Sequence, residues 1–165
     1  MSKPEAQARN LIDEQLARAG WVVQDRKDID LVNHFGVAVR ESILREVSGR
    51  ADYLLYLNRK IVGVIEAKPA GVTLTEVHWQ SRRYAGGLDE VQSKNAVLVK
   101  NELPFIYEAS GTETHFTNLF DPEPRARHLF NFQKPETLAR IIRDSETNEF
   151  ATWRGRVHEL PDTEG

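Results

Sequence analysis

The feature that most constrains the fold is a pair of apolar runs, Tyr53-Leu54-Leu55-Tyr56-Leu57 and Ile61-Val62-Gly63-Val64-Ile65, separated by Asn58-Arg59-Lys60 and flanked by charge. Asp52 precedes the first run, and Glu66 and Lys68 follow the second. Runs of this length, rich in β-branched and aromatic residues, read as strands, and the Asn58-Arg59 break reads as a hairpin turn with Lys60 opening the second strand. Side chains on a strand alternate between its faces, so Glu66 and Lys68 project together and an adjacent strand can bring Asp52 to meet them. Charge at the end of so apolar a strand is costly to bury unless something offsets it, and a divalent metal held by the carboxylates does so. The plainer alternative is a surface ion pair between strand-end residues. Five apolar residues before Glu66 and Pro69 directly after Lys68 argue instead for the end of a buried central strand. The chemistry that follows is metal-assisted phosphodiester hydrolysis, with the Ala67 carbonyl as a further oxygen ligand.

The rest of the chain supplies elements to surround such a hairpin. Ser2-Lys3-Pro4-Glu5 is a capping box with proline in the first turn, and Ala8, Leu11, Ile12, Leu16 and Ala19 recur at helical spacing up to Gly20, which predicts a helix from about Lys3 to Ala19. Trp21 to Val23 reads as a short strand, residues 24–33 as loop, and Val37 to Arg40 as another strand. A second capping box, Thr73-Leu74-Thr75-Glu76, opens a helix that stops at Gly86-Gly87. Ala96 to Val99 is a continuous apolar run of the kind covered on both faces, and Phe105 to Glu108 and Thr114 to Phe116 read as a later strand pair. Residues 121–134 read as loop, and Pro135 to Arg143 as a last helix. The order predicts an α/β fold in which a central mixed β-sheet is flanked by helices.

Composition narrows the functional classes. At 165 residues the chain is one domain by length, and no apolar run approaches the roughly 20 residues a membrane-spanning helix needs. No membrane partner is expected. The absence of cysteine excludes disulfides, zinc knuckles and thiol nucleophiles, and with no apolar signal segment in the first ten residues it makes a cytoplasmic location the expectation. A net charge of -3 argues against a polycation that coats nucleic acid, yet leaves DNA open through a local patch such as Arg82-Arg83. The five histidines form no metal-binding spacing, and no phosphate-binding glycine loop is present for ATP.

Taken together, PEAQARNLIDEQLARAGW, GRADYLLYL, VIEAKPAG and the helix carrying Gln80-Ser81-Arg82-Arg83-Tyr84 cover more than half the chain in order. In these motifs the chain resembles the N-terminal nuclease domain of type I restriction enzyme R subunits, in the PD-(D/E)xK superfamily, with a restriction-endonuclease-like core. Ala51 stands where that superfamily usually has proline before the first acid. The resemblance implies Asp52 and Glu66 as Mg²⁺ ligands, Lys68 as the catalytic lysine, and Gln80 and Tyr84 as a supporting QxxxY motif. Gln80 and Tyr84 share a helix face at i and i+4, which also suits a polar face with a packed tyrosine. Arg82 and Arg83 are candidates for phosphate contact, or plain solvated charge. Glu5 matches the first-helix acid that approaches the metal in the superfamily, and its capping role also explains it.

By the same resemblance, residues 1–150 form the nuclease-like domain, and 151–165 lead toward an ATP-dependent translocase that lies outside this chain, the part that uses ATP. Double-stranded DNA and the modification and specificity subunits of a type I complex are the implied partners. Two other classes remain open on the residues: a catalytically silent domain of the same fold that docks DNA or a subunit, and a nuclease of the superfamily outside type I restriction.

Overall fold

The computed structural model describes residues 3–40, 53–69 and 90–159, with side chains described for 6–40, 53–69 and 90–147. Asp52, Gln80, Arg82, Arg83 and Tyr84 lie outside the described residues, as does the helix expected from Thr73 to Ala85. The side chain of Glu5 is outside them as well. Helix α1 spans Lys3–Arg18, and strands β1 (Val22–Asp25) and β2 (Gly36–Arg40) follow. The hairpin β3 (Tyr53–Leu57) and β4 (Lys60–Ala67) is next, then a short helix α2 (Glu90–Lys94). Strands β5 (Phe105–Ala109), β6 (Thr114–Asn118) and β7 (Arg127–Leu129) precede a last helix α3 (Pro135–Glu159).

The seven strands among the described residues make one sheet in chain order, with β1–β2 and β4–β5 parallel and every other neighbouring pair antiparallel. A mixed sheet flanked by helices is the α/β fold that the order of elements leads one to expect, and it is consistent with the restriction-endonuclease-like core that the resemblance implies. The hairpin turn lies where the sequence places it. Asn58 (φ 46°) and Arg59 (φ 70°) are both left-handed, the conformation that matches the twist of paired strands in a two-residue turn. Asparagine tolerates that region well; arginine accepts it under local strain.

The sheet buries both faces. On one, Tyr53, Leu55, Ile65, Phe105, Tyr107 and Phe116 pack with Ile12 and Leu16 of α1 and Leu138 of α3. The other joins Val37, Val39, Leu54, Tyr56, Ile61, Val64 and Leu103. Helix α1 earns its place on the first face through Ala8, Ile12, Leu16 and Ala19, all buried and spaced three or four apart. Trp21 ties the start of β1 to the other side of the molecule, donating its indole N–H to the Gln133 carbonyl at 2.8 Å.

Three expectations change. The run Ala96–Val99 is not a strand covered on both faces. Ala96 makes one parallel bridge to Ile61, Val99 pairs with Glu102 across a tight turn, and Leu98 is exposed. The reason is competition for one strand edge, because β5 occupies β4 from Gly63 to Ala67. Within the expected loop 121–134, Arg127–Leu129 adds a short edge strand to β6. The last helix does not stop near Arg143 but continues to Glu159.

Candidate functional site

The site is built on the end of β4, and a β-bulge aims it. Pairing with β3 slips between Leu55 and Tyr56, so that Leu55 faces Gly63 whereas Tyr56 faces Ile61, and Val62 is the extra residue. Val62 and Ile65 therefore join the core beneath α1, while Ile61 and Val64 join the opposite core. An unbroken two-residue period would have placed Glu66 on the face of Val62, among the aromatic residues. With the slip it falls on the face of Val64, and Lys68 follows. Gly63 is required here, since a Cβ would lie 2.6 Å from the Phe105 carbonyl oxygen.

Glu66 is buried, and its Oε1 accepts a hydrogen bond from Lys68 Nζ at 2.7 Å. The two charges anticipated at i and i+2 thus meet on one side of the strand. Pro69 ends the strand, but Lys68 N–H still donates to the Ala109 carbonyl at 2.8 Å, which holds the lysine backbone against β5. Tyr53 pairs with Ile65, the residue before Glu66.

Sequence reasoning missed Glu108. It is the register partner of Glu66 across the parallel β4–β5 pair, and alternation puts it on the face of Ile106, which packs with the Val64 core. Its side chain is buried, and its Oε1 has no hydrogen-bond partner among the described residues. Burial first, and the neighbouring Glu66 charge second, push the Glu108 carboxyl up to about 7, against a smaller opposite pull from Lys68. The signal was available: a charged residue closing the apolar run Phe105-Ile106-Tyr107, the same pattern that singles out Glu66. Glu66 and Glu108 together supply oxygen donors suited to a hard cation. Among the described residues no group of three His, Asp or Glu is placed to hold a metal ion.

A second charged cluster lies at the same end of the sheet, on the α1 side. Arg40 contacts Asp13 through Nη2 at 2.9 Å and Asp25 through Nη1 at 3.1 Å, and Tyr53 Oη donates to Asp13 at 2.6 Å. Burial opposes the Arg40 charge, and its bonds to Asp13 and Asp25 outweigh that and hold its pKa above the ordinary value. Burial, reinforced by the Asp13 carboxylate, raises Tyr53 so that it stays protonated. Arg26 and Lys27 flank Arg40 and Asp25 in an open cleft.

The chain belongs to the family described as the second domain of the type I restriction enzyme EcoKI endonuclease subunit, whose model matches residues 33–142. The family and the motifs agree on the subunit; the motifs resemble its N-terminal domain, whereas the family's description makes the domain the second. No curated protein and no solved structure gives a significant match. No helix among the described residues is long and apolar enough to cross a membrane.

Proposed function

We propose that this domain performs Mg²⁺-dependent cleavage of double-stranded DNA within a type I restriction complex, with a site of the PD-(D/E)xK type. The observation that carries the reading is the 2.7 Å contact between Lys68 Nζ and Glu66 Oε1 at the end of a buried strand. Asp52 and Glu66 would hold the metal with the Ala67 carbonyl, and Asp52 is bonded directly to Tyr53, the partner of Ile65. The buried, unpartnered Glu108 Oε1 and the all-oxygen donor set fit a hard divalent cation better than a soft one. When bound, the metal supplies polarisation of the phosphate and a bound water of lowered pKa.

The protein's own contribution is charge placement. Lys68, held by Glu66, presents an ammonium where negative charge develops on phosphate oxygens, which is worth most in a site screened from water. Gln80 and Tyr84 support that arrangement, Glu5 is a further candidate at the metal, and Arg82 and Arg83 contact the DNA backbone. Target choice and ATP-driven translocation belong to the modification and specificity subunits and to a motor region elsewhere in the polypeptide.

The test is the assembled enzyme supplied with ATP and Mg²⁺. Glu66→Gln should abolish cutting while translocation continues, because the motor lies elsewhere. Cutting retained in Glu66→Gln would overturn the proposal, and loss of cutting together with translocation would point to a structural or docking role.

A further inference from the structure

We propose that Glu108 is a ligand of the same divalent cation, so that the parallel β4–β5 pair, and not β4 alone, builds the metal site; the inference rests on the metal-site reading above. Three observations converge. Glu66 and Glu108 are direct register partners, and the bulge in β4 together with strand alternation puts both on one face of the sheet. Like charges on directly opposed strand positions are unfavourable, so the pair is a standing liability unless a cation joins it. Glu108 is 9% exposed, and its Oε1 has no hydrogen-bond partner among the described residues, a condition that few buried polar atoms in native proteins share.

Lys68 relieves that liability only in part. Its ammonium is bonded to Glu66 Oε1, and no hydrogen bond joins it to Glu108 among the described residues. The two carboxylates of Glu66 and Glu108 outnumber the one ammonium of Lys68, a surplus of negative charge that a divalent cation offsets. A structural acid at this position would be expected to have a donor. The Arg40 cluster at the same end of the sheet supplies one to each oxygen of Asp13, and Glu108 has none for Oε1.

The experiment is a titration of the complete chain with Mn²⁺ in the absence of DNA, with free Mn²⁺ followed by electron paramagnetic resonance. Glu108→Gln, which keeps the shape and removes the charge, should weaken Mn²⁺ binding by at least the roughly tenfold that loss of even an outer-shell partner costs. Unchanged affinity in a folded Glu108→Gln chain overturns the inference. Should that variant fail to fold by circular dichroism, Glu108→Asp decides, a clear loss of affinity supporting the inference and an unchanged one overturning it. Loss of binding in Glu66→Gln with none in Glu108→Gln overturns the role of Glu108 alone. Absence of Mn²⁺ binding by the unaltered chain overturns the metal-site reading with it.

Discussion

Two charged clusters sit at one end of the sheet, on opposite faces, and they are satisfied to different degrees. Around Arg40, both oxygens of Asp13 receive guanidinium hydrogens, Asp25 takes a third, and Tyr53 adds its hydroxyl. Around Lys68, the ammonium reaches one oxygen of Glu66, and Glu108 Oε1 is left without a donor. The first cluster joins α1, β1, β2 and β3, and its bonds account for it as a structural tie. The second sets two carboxylates on adjacent strands against a single ammonium. Closed polar networks rigidify a fold, whereas an incomplete one at a strand end is where a ligand has something to contribute.

The comparison breaks first at Lys68. In the assembled enzyme, Lys68→Ala should slow cleavage by about a thousandfold, near 4 kcal/mol of transition-state stabilisation, with Mn²⁺ binding and translocation kept. Rates of cutting and of ATP-driven translocation measured side by side check this. A parallel loss of thermal stability would make Lys68 a structural partner like Arg40.

The mirror experiment is Arg40→Leu, which should destabilise the chain by about 2 kcal/mol in urea denaturation and leave Mn²⁺ affinity unaltered. That figure is below the range for fully buried pairs because Arg40 and Asp13 are partly solvated. A change in Mn²⁺ affinity would show that the two clusters communicate.

A pH series on the metal-free chain sharpens the contrast further. Glu108 binds its proton more tightly when folded, at about 7, than its ordinary 4.5. The native state therefore holds more protons in that window, and stability falls as pH rises through it. The decline should amount to about 1–2 kcal/mol between pH 4.5 and 8, and Glu108→Gln should flatten it. Saturating Mn²⁺ should flatten it too, because the cation favours the ionised carboxylate; a slope unchanged in Glu108→Gln would assign the effect elsewhere. Smallest is Tyr53→Phe, which removes one hydrogen bond to an Asp13 already held by Arg40 and should cost about 1 kcal/mol in thermal melts.

Much of this molecule follows from local pattern. The periodicity of Ala8, Ile12, Leu16 and Ala19 determines α1 and the face it buries, and Asn58-Arg59 determines the hairpin turn, because both depend on residues a few positions apart. The side-by-side placement of Glu66 and Lys68 is likewise a local matter of strand pleat. Only the tertiary structure decided which face they serve, since the bulge at Val62 depends on pairing with β3 and reverses the alternation. The fate of Ala96–Val99 was also decided at a distance, by β5 taking the edge of β4 that this apolar run could have filled. Glu108 lies 42 residues from Glu66 in sequence and becomes its neighbour only through the parallel register of β4 and β5. Sequence spacing carries no information about such a pair, because what brings it together is the hydrogen bonding of two strands that the chain reaches far apart.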